Sequence, residues 1–150
     1  MTQVLAPLGG RVLALQDVPD PVFADALVGP GLAIDPPREP AEVVSPVSGR
    51  LVKLHPHAFV VVTDAGSGVL VHLGIDTVEL KGEGFRLHAE EGSTIAAGER
   101  IVSWNPAEIE AGGRSPICPV VALDATPEQL SGMRETGAVQ AGSPLFMWSV

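Results

Sequence analysis

The sequence predicts an all-β fold, an antiparallel β-sandwich or barrel with internal duplication and only short helices. Three observations carry it. Its 150 residues include 17 glycines and 14 prolines, a turn-rich composition that argues against a helix bundle and for many short strands. Short apolar runs recur at intervals of roughly 8–15 residues, the spacing of a sandwich or barrel. Two pairs of segments also repeat. Val4-Leu-Ala-Pro-Leu-Gly-Gly-Arg-Val-Leu-Ala-Leu15 aligns with Val43-Val-Ser-Pro-Val-Ser-Gly-Arg-Leu-Val-Lys-Leu54, so that Pro7 matches Pro46, Gly10 matches Gly49 and Arg11 matches Arg50. Ala97-Gly98 likewise matches Ala141-Gly142, and each leads into a strand ending in tryptophan, Trp104 or Trp148.

The elements follow in order. Residues 4–6 and 11–15 read as strands around a Pro/Gly turn, and 43–45 with 50–54 repeat them. Between them, Asp20-Pro21 offers an N-cap followed by proline at the first helical position, which predicts a helix over Asp20–Leu27. A strand at 31–35 comes next. The apolar run at 58–63 and the alternating Val69-Leu-Val-His72 predict two strands, 58–63 and 69–73, joined by the turn-rich Thr63-Asp-Ala-Gly-Ser-Gly68. Strands at 100–104, 119–123 and 144–149 complete the set. Pro106–Gly112 and Pro127–Ser131 repeat the pattern of a proline start and an acidic first turn, predicting two more short helices. No low-complexity stretch or linker divides the chain, so residues 1–150 are expected to form a single domain.

Composition excludes several functions. Apolar residues make up 45% and charged residues 18%, as in a folded protein. The formal charge of −9 disfavours binding to nucleic acid phosphates and suits partners with basic surfaces. A single cysteine, Cys118, allows no internal disulfide and fits a reducing compartment. The sequence starts without a cationic segment and long apolar run, and stretches such as Ala58–Val62 are too short to cross a bilayer. A cytoplasmic protein is the expectation.

The chemistry is concentrated in histidines. On an alternating strand, Val69 and Val71 share one face and Leu70 and His72 the other. His72 then lies among aliphatic side chains, where a neutral imidazole keeps one nitrogen free as nucleophile or ligand. If 58–63 and 69–73 form a hairpin, His57 falls at the same open end as His72. Three chemistries suit such a pair. One is phosphoryl transfer, in which one imidazole attacks phosphorus and the other steadies its oxygens. Another is zinc ligation by His55-Pro-His57 and His72-Leu-Gly-Ile-Asp76. The last is acid–base catalysis on a small substrate. His88 reads as a surface residue, Cys118 as a small packing residue, and Trp104 and Trp148 as core ends of matched strands.

Val71-His-Leu-Gly-Ile-Asp-Thr-Val-Glu-Leu-Lys-Gly-Glu-Gly-Phe85 resembles the active-site signature of glucose-type enzyme IIA, a family of the phosphoenolpyruvate-dependent sugar phosphotransferase system. The likeness extends to Ala6–Val12, Leu15–Ala24, Val28–Ile34, Ser45–Gly49, His57–Phe59 and Glu90–Gly98, essentially the whole chain. It implies a β-sandwich-like barrel of the duplicated hybrid motif type. It also implies a phosphotransferase component without metal or cofactor, a phosphocarrier that takes a phosphoryl group from HPr and passes it to a cysteine on the IIB domain of a sugar permease. In that resemblance His72 matches the phosphorylated histidine, through Nε2, and His57 the histidine that contacts the phosphoryl group. Asp20 and Asp76 match acidic residues rimming the apolar site, and Val22, Phe23, Leu70 and Val78 match its apolar wall. Regulatory protein partners are implied as well.

Two departures stand out. His55 occupies the position of a threonine that orients the second histidine in the family. Only Met1-Thr-Gln3 precedes the first strand, so membrane contact is expected only through the permease. Two rival families fit less well. Lysostaphin-like zinc peptidases use the H-x-x-x-D and H-x-H ligands in the opposite order. Biotinyl and lipoyl carriers need a lysine at a hairpin tip, and Lys53 and Lys81, the two lysines, lie in no such turn.

Overall fold

A computed structural model describes residues 1–149. Along the chain run β1 (Thr2–Leu5), β2 (Gly10–Ala14), α1 (Pro21–Ala24), β3 (Gly31–Asp35), β4 (Ala41–Val44), β5 (Gly49–His55), β6 (Ala58–Val62) and β7 (Gly68–His72). There follow β8 (Arg86–Leu87), β9 (Thr94–Ile95), β10 (Arg100–Trp104), α2 (Pro106–Ala111), β11 (Cys118–Ala122), β12 (Leu130–Ser131), β13 (Ala138–Val139) and β14 (Pro144–Trp148). The strands form an eight-stranded sheet in the order β13-β2-β3-β11-β7-β6-β5-β9, and two three-stranded sheets, β1-β14-β12 and β4-β10-β8. Every pairing is antiparallel. The all-β expectation therefore holds.

The duplication is visible in register. Thr2 pairs with Trp148 and Val4 with Phe146, while Ala41 pairs with Trp104 and Val43 with Val102. Both ladders carry a bulge at the same place, after Val4 and after Val43. The two proline turns are tied to each other: Leu5 N–H donates to Pro46 O at 2.9 Å and Val44 N–H donates to Pro7 O at 2.8 Å. Gly10 and Gly49 are equivalent because each lies under a neighbouring strand. A Cβ would fall 2.5 Å from Asp35 O at Gly10 and 2.2 Å from Val62 O at Gly49, so no side chain fits either place.

Two apolar clusters sit on opposite faces of the large sheet. Period-2 alternation sorts them: Val69, Val71, Val120 and Ala122 enter the main core with Val4, Val43, Leu51, Phe59, Ile101 and Phe146, while Leu70 and Val121 point the other way, toward Leu15, Val18, Phe23 and Ile75. This second cluster is covered by the connection between β2 and β3. Trp104 and Trp148 end their strands inside the main core, as expected.

Several sequence expectations change in detail. The helix placed at Asp20–Leu27 is the single turn α1, since Ala26 has a φ of 53° and turns the chain. Pro127–Ser131 is a 3-10 turn, Pro127–Gln129, followed at once by β12, whose Leu130 pairs with Trp148. The strand expected at 119–123 begins and ends one residue earlier. The pairs of residues forming β8, β9, β12 and β13 were not anticipated. His88 is half-buried, with Nε2 2.6 Å from Ser103 Oγ, and so is not a simple surface residue. Among the described residues no helix is long and apolar enough to cross a membrane.

Candidate functional site

His72 ends β7 and faces the second cluster, on the same side as Leu70. His57 belongs to the tight turn between β5 and β6, whose strands begin the pairing at His55↔Ala58. Because Ala58 pairs with His72, the preceding residue lands beside the imidazole. Leu73 N–H donates to His57 O at 2.7 Å and closes that end of the hairpin. The two rings meet edge to face, 5.3 Å between centroids at 70°. The hairpin expectation therefore holds, with both imidazoles at its open end. His55 stacks on the far side of His57, at 5.7 Å and 23°.

The tautomer of His72 is set by its neighbour. Nδ1 lies 2.6 Å from Gly74 O. A carbonyl only accepts, so Nδ1 carries the proton and Nε2 keeps its lone pair. Gly74 makes this possible with a φ of 78°, in a turn where a Cβ would lie 2.8 Å from the Thr77 methyl and 3.0 Å from Ser115 O. Burial lowers the pKa of His72, against smaller upward pulls from the Gly74 hydrogen bond, Asp20 and Asp76. His57 is lowered to about 4, first by burial and then by the neighbouring imidazoles of His72 and His55. At neutral pH both rings are uncharged, which is the form a nitrogen nucleophile requires.

The remaining sequence candidates surround this pair unevenly. Phe23, buried on α1, packs its ring 5.2 Å from that of His72. Asp20 caps α1, its Oδ1 accepting from Val22 N–H at 2.9 Å. Its charge and that of Asp76 both reach His72. Val22 and Val78 are large apolar residues left 44% and 60% exposed, surface that a docking partner would cover. Leu70 is half-buried in the second cluster. Cys118 is fully buried, and burial pushes its thiol up to about 12. That makes it inert and bears out its reading as a packing residue.

Sequence reasoning missed the floor of the site. Thr77 is fully buried and its hydroxyl donates to Leu73 O at 2.7 Å, while Ile75 N–H donates to Ser115 O at 2.9 Å. The signal available was a threonine three residues after a turn glycine, a pattern that also fits a plain surface turn. Among the described residues, no group of three or more histidine, cysteine, aspartate or glutamate side chains is arranged to hold a metal ion. The site sets a neutral His72 imidazole, its Nε2 unprotonated, beside a second half-buried imidazole, with exposed Val22 and Val78 and the carboxylates of Asp20 and Asp76 around it.

The family described as phosphoenolpyruvate-dependent sugar phosphotransferase system, EIIA 1, matches residues 2–127. A glucose-specific EIIA component of Oceanobacillus iheyensis is 40% identical over 120 residues, which is 79% of this chain and 72% of that protein. A beta-glucoside-specific EIIBCA component of Bacillus subtilis is 38% identical over 146 residues, 96% of this chain. A glucose-specific EIICBA component of Streptococcus pneumoniae is 40% identical over 141 residues, 93% of this chain. The chain spans 24% and 19% of the length of those two multidomain relatives. Among solved structures, glucose permease IIA from Mycoplasma capricolum superposes with a TM-score of 0.88 at 32% identity, covering 96% of this chain and 93% of that one.

Proposed function

The chain belongs to the phosphoenolpyruvate-dependent sugar phosphotransferase system EIIA 1 family, and from that premise we propose that it is a histidine phosphocarrier acting as one unit over residues 1–150. The observation that carries the proposal is the hydrogen bond from His72 Nδ1 to Gly74 O, which leaves Nε2 unprotonated and facing the open end of the hairpin. Nε2 attacks the phosphorus of phosphohistidine on HPr. A P–N bond forms to His72 as the one to HPr breaks, and the released electron pair returns to the HPr imidazole. A cysteine thiolate of a IIB domain then attacks the same phosphorus, and the His72 Nε2–phosphorus bond breaks.

His57 donates to the phosphoryl oxygens, a task for which a neutral ring offers one N–H. The apolar surface of Val22, Phe23, Leu70 and Val78 excludes water when a partner docks, which protects the labile P–N bond. Asp20 and Asp76 attract basic partner residues and sustain fast encounters. Relatives whose names place EIIA with EIIB and EIIC in one chain support a IIB domain as acceptor, and thus a cytoplasmic carrier that meets the membrane at its permease. With phosphoenolpyruvate, enzyme I and HPr, the protein gains one acid-labile phosphoryl group, and His72→Gln gains none. Normal labelling of that variant contradicts the assignment.

A further inference from the structure

Between His72 and Val78 the chain makes a turn with two left-handed residues, Gly74 at φ 78° and Asp76 at φ 61°. Such a turn is not held by a strand ladder, so something else must fix it. At the two α-helical turns the cap side chain helps to do so: Asp20 accepts from Val22 N–H and Asn105 from Ala107 N–H. Asp76 occupies the corresponding position ahead of the 3-10 turn Thr77–Leu80, yet its side chain makes no capping bond. The clamp comes from inside. Thr77, with no exposed surface, donates its hydroxyl to Leu73 O at 2.7 Å and sets its methyl against Gly74.

We propose that Thr77 is a positioning residue for His72: its hydroxyl and methyl lock residues 73 and 74 so that the Gly74 carbonyl holds Nδ1 and leaves Nε2 free. The hydroxyl holds the 73–74 peptide, while the neighbouring peptides are tied by their own N–H groups, Leu73 to His57 O at 2.7 Å and Ile75 to Ser115 O at 2.9 Å, so Thr77 sets the one link between two fixed ends. Leu73 is itself fully buried, so without the hydroxyl its carbonyl loses a donor where water does not reach, and the turn must shift to find another. A shift of Gly74 O weakens the bond that selects the tautomer. Holding the turn from below also leaves the Asp76 carboxylate uncommitted at the rim. Thr77 touches neither phosphoryl group nor partner.

The inference rests on His72 as acceptor, but its test separates the two. In protein labelled with 15N-histidine and not phosphorylated, long-range proton–nitrogen correlations read the His72 tautomer directly. The wild type and Thr77→Ser, which keeps the hydroxyl, show a single Nδ1–H form. Thr77→Val, which keeps the shape without the hydroxyl, shows a mixture of tautomers, and its acceptance from HPr slows about fivefold. If Thr77→Val fails to fold, Thr77→Ala against Thr77→Ser isolates the same hydroxyl. An unchanged tautomer in the folded variant lacking the hydroxyl, even with a lowered melting temperature, overturns the proposal. A mixed tautomer with labelling that does not depend on His72 upholds the clamp and overturns the acceptor assignment instead.

Discussion

The unit β5–β6–β7 and the unit β2–β3–β11 are the same three-stranded structure built twice, but only one carries imidazoles. Arg50↔Val62 and Arg11↔Asp35 are equivalent pairs, as are Ala58↔His72 and Gly31↔Val121. Even the closing hydrogen bonds correspond: Leu73 N–H to His57 O at 2.7 Å, and Ala122 N–H to Pro30 O at 2.9 Å. Where one unit has His57 and His72, the other has Pro30 and Val121. The connections differ as sharply. β5 and β6 are joined by Pro56 and His57 alone, whereas residues 15–30 separate β2 from β3. That long connection folds over the sheet and buries Val121 under Leu15, Val18 and Phe23. The short turn leaves its own end open. The site is therefore asymmetric by construction: one half supplies the imidazoles and the other half, through Phe23, supplies their cover.

Four changes break or sharpen that contrast. The largest effect comes from giving His72 its counterpart's side chain. His72→Val keeps the fold and abolishes phosphoryl uptake, and adding Val121→His does not restore it, because that end is covered; intact mass after incubation with enzyme I and HPr reads both. Next is His57→Gln. It accepts from HPr but passes the group to IIB slower by about a hundredfold, and His55→Ala added to it deepens the loss, as stopped-flow transfer would record. If the single variant transferred to IIB normally, the second imidazole would have no role in the step.

Removing the cover is a smaller perturbation. Phe23→Ala costs about 3 kcal/mol in urea unfolding, and His72, relieved of burial, titrates closer to an ordinary imidazole in NMR. A His72 titration that stays put assigns its burial to another element. The smallest effect is on pH. His57 and His72 have folded pKa values below the unfolded value of 6.5, so protons bind the unfolded chain more readily as pH falls. The stability contribution of His57 is full above about pH 6.5 and is lost progressively toward about pH 4, near its folded pKa. Unfolding at successive pH values shows a shallower decline for His57→Gln than for the wild type.

How far the sequence revealed this structure depends on how local each signal was. The Pro7/Pro46 and Gly10/Gly49 correspondences were legible because turn chemistry and close strand approach are fixed by a few adjacent residues. The equivalence of β3 with β6, and of β11 with β7, was not. Connections of unequal length destroy any constant offset, and Val121 shares nothing with His72 beyond its register. Strands of two residues, such as β9 and β13, are too short to show a period, and pairing with β5 and β2, not their own sequence, makes them strands. α1 was read too long because its start signals, Asp20 and Pro21, are strong, while its stop at Ala26 uses no glycine. Within the site, His57 and His72 were legible through strand alternation and hairpin geometry. Thr77 was not, since its importance lies in being buried under a turn.

The most direct measurement is the chemical position of the phosphoryl group. Phosphorus–nitrogen couplings in 15N-histidine-labelled protein, phosphorylated through HPr, identify both the residue and the ring atom. The geometry at Gly74 predicts a single species with phosphorus bonded to Nε2 of His72. Phosphorus on Nδ1 of His72, or on His57, would contradict it.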